Sequence, residues 1–480
     1  MTLLLARLAQ ILLSVVSIKL SSHLLAPEQM GRFALANSVV AFFSFMFFNP
    51  VGMFMNRRMH SWWRDGQWPS YHLWFGAYVL GVAAIAGLSF VFAAPLYSGL
   101  DMALGWMLLL ICGSVIVTTA NQLLISSLNL LGFVRPFAVL TVLTPLLGLG
   151  VAWVLCDWQH PQTEYWLSGL LIGQAVAVAF ALAVYRGAWQ ARGGPTVIVR
   201  ALQPQMLQRL FVYAWPISIA VVLGWLQNQG YRLVMENQIG LKQLGIFVAA
   251  YGIALGIMSA VESLLASLLQ PAFYRRLNEP GSLAAAAWND YAAIALPVLV
   301  LTAATLAAAA PEAVHIFLAP AYWDTAEYVR WAAVIELVRT AANVYGLAMH
   351  AEMNTRRLIL PSLLGAVLST GFLTLSARAW GLAGVGPALA CAGLLYLLSY
   401  HVAARRLSGV SLPYRRTLLA LGGGLLALVL VSAARSWSFS SSVMATTALR
   451  ATPAALVYFA FAAMLVRPVT SSSSPTATRA

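Results

Sequence analysis

The chain has 480 residues, of which 61% are apolar and only 9% charged, with a formal net charge of +14. A soluble fold of this length cannot hide so much apolar surface, so the composition excludes a water-soluble enzyme and leaves a protein of the bilayer. The apolar runs are too long and too unalternating for barrel strands, which leaves α-helices as the spanning element.

In chain order the apolar runs lie at roughly 3–25, 33–55, 71–97, 103–128, 136–156, 165–185, 211–235, 244–271, 288–310, 325–352, 358–377, 383–404, 417–434 and 444–466, which predicts fourteen transmembrane helices. The first run, Leu3 to Leu25, is longer than a signal-peptide core. It ends in Ala26-Pro27-Glu28 without a small-x-small cleavage site, so it is expected to stay in the membrane.

Arginines fall in every second gap. One set of gaps holds Arg57, Arg58 and Arg64, then Arg135, then Arg186, Arg192, Arg200 and Arg209, then Arg275 and Arg276. It continues with Arg356 and Arg357, with Arg405, Arg406, Arg415 and Arg416, and with Arg467 and Arg479. The other gaps carry Glu28, Asp101, Asp157, Glu164, Glu312 and Asp324, with Lys242, Arg378 and Arg435 as exceptions. Positive charge is retained on the cytoplasmic side, so both termini are predicted to be cytoplasmic and the helix number even. Because the charge follows the loops and forms no single face, anionic lipid head groups are the expected partner, and nucleic acid is not. Cys112, Cys156 and Cys391 fall in or beside apolar runs and read as packing residues.

The longest polar gap, Arg186 to Arg209, contains Gly193, Gly194 and Pro195 and separates six predicted helices from eight. Glu28-Gln29-Met30-Gly31-Arg32-Phe33-Ala34-Leu35-Ala36 is similar to Lys242-Gln243-Leu244-Gly245-Ile246-Phe247-Val248-Ala249-Ala250, each in the turn between the first and second helix of its half. A basic cluster then ends each second helix, Asn56-Arg57-Arg58-Met59 and Tyr274-Arg275-Arg276-Leu277. The halves read as parallel repeats. The expected organisation is a six-helix lobe over 1–185, a cytoplasmic linker over 186–210, a second six-helix lobe over 211–404, two further helices over 405–466 and a disordered serine-rich tail over 467–480.

The run Leu24-Leu25-Ala26-Pro27-Glu28-Gln29-Met30-Gly31-Arg32-Phe33-Ala34-Leu35-Ala36, followed by Asn49-Pro50-Val51-Gly52 and Asn56-Arg57, resembles the opening of polysaccharide biosynthesis flippases of the Wzx type. These belong to the multidrug/oligosaccharidyl-lipid/polysaccharide exporter superfamily. Tyr213-Ala214-Trp215-Pro216-Ile217 and Asn228-Gln229-Gly230-Tyr231-Arg232 look like the start of that family's second lobe, and Leu244-Gly245-Ile246-Phe247 with Pro271 continues it. The resemblance implies an all-α polytopic protein of the bacterial inner membrane, with two pseudo-symmetric six-helix lobes around a central cavity and two added C-terminal helices. It also implies movement of a polyprenyl-pyrophosphate-linked oligosaccharide from the cytoplasmic to the outer leaflet. Glycan polymerases and glycosyltransferases are the partners such a protein would work beside.

Such a substrate requires a wet cavity with a few cations and many neutral donors. Charges inside a membrane are costly and usually functional. Lys19 in the first helix and Arg232 in the first helix of the second half occupy nearly corresponding places and are expected either to hold a pyrophosphate between the lobes or to snorkel to the interface. Arg57 and Arg58 would guide the pyrophosphate in, or serve topology alone. Asn121 and Gln122, with Asn37, Asn49, Gln174, Gln227 and Asn228, suit sugar hydroxyls or interhelical bonds. Glu336 and Arg339, three residues apart on one helix face with Asn343 beyond them, form either a packing ion pair or a gate. Glu262, without a local partner, is a candidate proton or sodium site, or an acid facing the vestibule. Gly252 and Gly256 make a small-xxx-small face suited to close helix packing.

No ATP-binding loop and no catalytic or zinc-spaced motif occurs, and the chain has two lysines, Lys19 and Lys242. A transporter that is not an enzyme is therefore expected, with no bound cofactor or metal, and a proton or sodium gradient is the energy source this reading admits. The first rival is an ion-coupled multidrug exporter of the related antiporter family, which should present uncompensated acids in its first lobe. The second is a membrane polymerase or ligase acting on lipid-linked glycans, which should carry a sizeable outer loop.

Overall fold

The computed structural model describes residues 2–92, 100, 102–190, 204–277, 279, 283–351, 359–405, 409–436 and 443–466, of which 2–5, Arg7, Leu8, Ile11, Arg57, Pro204, Gln205, Pro216, Ala220, His350 and Ala351 are described in backbone only. Regular structure among them is helical throughout. After α1 (Thr2–Leu24), Pro27 starts α2 (Pro27–Phe43), where its missing N–H is no loss. A π-helical turn, Ser44–Phe48, carries α2 into α3 (Asn49–Arg64) as one long helix. The wide turn has a local cause: Pro50 offers no N–H to the preceding turn, and Asn49 instead donates to Ser44 five residues back.

The first half continues with α4 (Trp68–Phe92), α5 (Leu104–Met107), a second π turn over Leu108–Cys112, α6 (Gly113–Leu130), α7 (Val134–Trp158) and α8 (Thr163–Gln190). The second half comprises α9 (Pro204–Ile239), α10 (Leu241–Leu277), α11 (Ala284–Ala308), the short α12 (Ala310–Phe317), α13 (Ala326–Ala351), α14 (Ile359–Trp380) and α15 (Val385–Arg405). Two further helices, α16 (Tyr414–Ala434) and α17 (Val443–Val466), complete the chain. Gly240 makes the sharp turn from α9 to α10: its φ of +86° lets its N–H cap Met235 and Glu236, a geometry that favours glycine.

Twelve runs meet the length and hydropathy of a membrane span; one of them, 359–405, holds both α14 and α15, and α1 adds a shorter apolar stretch over Leu12–Leu24. With α14 and α15 counted separately and α1 added, the described residues offer a helix for each of the fourteen expected, although the apolar stretch of α1 is shorter than a full span. Several helices outrun their apolar runs, notably the 36-residue α9 and the 37-residue α10. A backbone ladder continues past the hydrocarbon until a breaker stops it, and hydropathy sees only the apolar part. The segment read as a linker is helical up to Gln190 and again from Pro204, with 191–203 outside the described residues. Arg356 and Arg357 and the tail after 466 also lie outside them.

Alternation of the gaps is visible in what they touch. The turns carrying Gln29 and Thr163 bond each other at 2.8–3.0 Å, Arg378 donates to Gln238 at 3.0 Å, and Arg435 donates to Glu312 at 2.9 Å, all at the arginine-poor face. At the arginine-rich face Trp63 meets Trp68, Phe133 and Trp189 edge-on, and Arg276 pairs with Asp290 at 2.7 Å. One apolar core runs through α2–α6 and α8, and the other runs through α9–α15 and reaches Met30 of α2.

The extra pair α16 and α17 lies against α11, where Ala427 and Val431 pack beside Ala308. Arg435, a departure from the charge pattern, is explained here. Glu312, with a side chain only 5% exposed, takes its guanidinium, and this hydrogen bonding raises the Arg435 pKa above the usual arginine value. Arg435→Met is expected to cost more than the about 1 kcal/mol of an exposed pair and less than the roughly 3–5 kcal/mol of a fully buried one. The melting temperature in detergent should fall accordingly, and adding Glu312→Gln should recover most of the loss.

Candidate functional site

The short sequence repeat marks the place where the two halves meet. Helices α2 and α10 cross at the arginine-poor face through Gly31 and Gly245, equivalent positions of the repeat. A Cβ on Gly31 would penetrate the carbonyl oxygen of Leu241, and one on Gly245 would penetrate that of Pro27. Pro27 and Leu241 are themselves equivalent, so the contact is two-fold symmetric, and only glycine allows backbones this close. Close packing was expected at Gly252 and Gly256; instead a Cβ on Gly252 would meet nothing within 4 Å, and one on Gly256 only the tip of Ile18 at 3.6 Å.

Lys19 and Arg232 extend the same seam. Lys19 Nζ donates to the Ile316 carbonyl at 2.8 Å, just beyond which Ala319 N–H donates to Ser22 Oγ at 3.1 Å and Tyr322 donates to the Leu25 carbonyl at 2.8 Å. Arg232 Nη1 donates to the Ala34 carbonyl at 3.0 Å and to Ser38 Oγ at 3.2 Å, beside a bond from Trp225 Nε1 to the Ser38 carbonyl at 3.0 Å. Each cation therefore reaches from its own half to the backbone of the other. Neither snorkels free, and the two donate to different carbonyls, those of Ile316 and Ala34. Toward the arginine-rich end, Arg58 lies 5.0 Å over the Phe54 ring, which in turn packs 5.7 Å from Tyr213 of α9. The Arg57 side chain lies outside the described residues.

Inside the first half a cavity of about 460 Å³ opens between α2, α3, α6 and α8. Gln122 lines it, as do Asn37, Asn49 and Gln174; Asn121 does not, and instead its Nδ2 donates to the Gln174 carbonyl at 3.5 Å between helices. No titratable side chain lines this cavity among the described residues.

The second half carries the buried charges. Glu336 is fully buried in α13 and accepts from the Tyr251 hydroxyl of α10 and from Arg339 Nε at 2.9 Å. Arg339 also donates to Glu262 at 3.2 Å, and Asn343 Nδ2 donates to the other Glu262 oxygen at 2.7 Å. Glu262 thus has partners after all, supplied by a helix distant in sequence. It lines a second cavity of about 360 Å³ together with Asn343, Tyr291 and Tyr400. Two carboxylates share one guanidinium, so the cluster is anionic overall when both are ionised. Among the described residues no group of His, Cys, Asp and Glu could hold a metal ion. The residues that sequence reasoning missed are Tyr251, Thr119 and the glycine pair. The repeat itself was the available signal for the glycines, since it gave their equivalence.

No family model matches the sequence, and no curated protein sequence matches it. Among solved structures, the lipid II flippase MurJ in an inward closed conformation superposes with a TM-score of 0.72 at 12% identity, over 97% of this chain and 98% of that one. A multidrug resistance MATE family transporter of the MOP superfamily gives a TM-score of 0.55 in its inward-facing conformation, at 14% identity over 85% of this chain and 96% of that one. Its outward-facing conformation gives 0.54 at 14% identity, over 85% and 95%. The fold is that of these transporters. With 97% of the chain covered, the match to MurJ has to include α16 and α17.

Proposed function

We propose that the chain is a flippase that carries a polyprenyl-pyrophosphate-linked oligosaccharide from the cytoplasmic to the outer leaflet of a bacterial inner membrane, by alternating access of its two halves. The observation that carries this reading is the end-to-end match to a lipid II flippase, the two added helices included. On this reading the arginine-rich face is cytoplasmic, and the closed seam of Gly31, Gly245, Lys19 and Arg232 seals the outer side. A diphosphate arriving between the halves competes with the Ile316 and Ala34 carbonyls for the two cations. Substrate thereby weakens the seam that confines it, a direct link between occupancy and opening. Glu262, at the cavity edge and held by Arg339 and Asn343, is the coupling site for protons or sodium, and Glu336 with Tyr251 is its fixed support.

The multidrug-exporter reading is disfavoured by the first-half cavity, which offers a cationic drug no carboxylate among the described residues. The membrane-enzyme reading is disfavoured at the arginine-poor face, where the gap between α12 and α13 is a short 3-10 turn packed into the fold.

The test follows polyprenyl-linked glycan in each leaflet of a strain lacking the protein, using a membrane-impermeant glycosidase. Cytoplasmic accumulation is expected, relieved by the unsubstituted gene. Lys19→Ala and Arg232→Ala should each lower the flipping rate roughly ten- to hundredfold, the value of a lost charge-assisted hydrogen bond. An unchanged leaflet distribution in the deleted strain would rule the reading out.

A further inference from the structure

We infer that the polar cavity inside the first half is a subsite for a neutral sugar ring. The inference rests on the flippase reading and names the part of the substrate that this half receives. At about 460 Å³ the cavity falls within the usual range of small-molecule sites. Its lining combines amides and hydroxyls with the rings of Phe45, Phe48 and Phe75. A charged ligand would find no counter-charge there, and a purely apolar one would leave the amides desolvated. Sugar hydroxyls both donate and accept, as amides do, while the C–H faces of the ring suit aromatic surfaces.

Two further observations point to a ligand. Thr119, which lines the cavity and is only 5% exposed, has a buried Oγ1 with no hydrogen-bond partner among the described residues, and Asn56 Oδ1 at the cavity wall is in the same condition. Buried polar groups are rarely left unpaired. Their neighbours are not left so: Thr118 donates to Gln174 Oε1 at 2.7 Å, so packing alone can satisfy this belt where nothing else is needed. The π turn Ser44–Phe48 places Ser44, Phe45 and Phe48 along the cavity, and such turns recur at functional sites. The same helix carries Gly31 and Ala34 of the seam, so a bound ring would lie against the element that closes the outer face.

The experiment measures binding to the purified full chain in nanodiscs of two probes, undecaprenyl pyrophosphate and undecaprenyl pyrophosphate bearing a single N-acetylhexosamine. The glycosylated lipid is expected to bind about tenfold tighter or better, and Thr119→Val and Gln122→Leu should each bring that ratio towards one. Thr119→Val removes an unpartnered hydroxyl with little change in shape, so the melting temperature without ligand should not fall. A purely structural hydroxyl would behave in the opposite way. Equal binding of the two lipids to the unsubstituted protein, or a ratio preserved in both variants, would overturn the subsite and leave the flippase reading standing. Failure of both lipids to bind would remove the flippase reading, and the subsite with it.

Discussion

Gly245→Ala, and independently Gly31→Ala, is expected to hold the outer face open and to stop transport while both halves remain folded. In each case the new methyl would occupy the place of a backbone carbonyl, of Pro27 or of Leu241, and a backbone cannot rotate away as a side-chain tip can. Overpacking costs about 1–3 kcal/mol where side chains can adjust, and this contact offers no side chain to move. A penalty of about 3 kcal/mol lowers the closed population roughly a hundredfold. The crossing adjoins the second core through Met30 and Leu244, but each half keeps the rest of its apolar core, so expression and monodispersity should be retained. Ser22→Cys with Ala319→Cys reads the closure directly, because Ser22 Oγ and the Ala319 nitrogen are 3.1 Å apart. Disulfide yield should be high in the otherwise unsubstituted chain and fall at least about tenfold with Gly245→Ala. Equal yields would mean that the helices slide to accommodate a methyl and that the glycine crossing does not govern closure.

Arg339→Leu is the second substitution of large effect. It strands Glu336, which has no solvent exposure and, among the described residues, keeps only the Tyr251 hydroxyl as a side-chain partner. Removing one member of a buried pair costs about 3–5 kcal/mol, most of it the uncompensated charge left behind. The melting temperature should drop sharply, with rescue by Glu336→Gln and little rescue by Glu262→Gln, whose side chain is 29% exposed and can meet water in its cavity. Glu262→Gln alone should fold normally and make flipping insensitive to the proton or sodium gradient. If Glu262→Gln rescued Arg339→Leu as well as Glu336→Gln does, the division into a fixed and a responsive carboxylate would be wrong.

The number and path of the helices were legible in the sequence because burial in lipid demands long, nearly uninterrupted apolar runs, and arginine placement records which gaps share a face. Pro27 and Gly240 are likewise local: one starts a helix for want of an N–H, the other ends one through its positive φ. The repeat at Glu28–Ala36 and Lys242–Ala250 was also readable, but not its meaning. That Gly31 faces Leu241 and Gly245 faces Pro27 is a property of how two halves dock, and glycines at Gly252 and Gly256 look no different in one dimension.

Partners distant in sequence were decided in the same way. Glu262 read as solitary because Arg339 and Asn343 lie 77 and 81 residues away along the chain. Lys19 and Arg232 read either as cations for one pyrophosphate or as snorkelling side chains, and docking gives each a carbonyl of the opposite half. Asn121 and Gln122 are adjacent in sequence, yet one turns to the Gln174 backbone and the other to the cavity. Helix formation depends on neighbours within a few residues, which a sequence displays. Which polar side chain meets water, ligand or another helix depends on the rotation of each helix about its axis, and that is set only when the bundle packs.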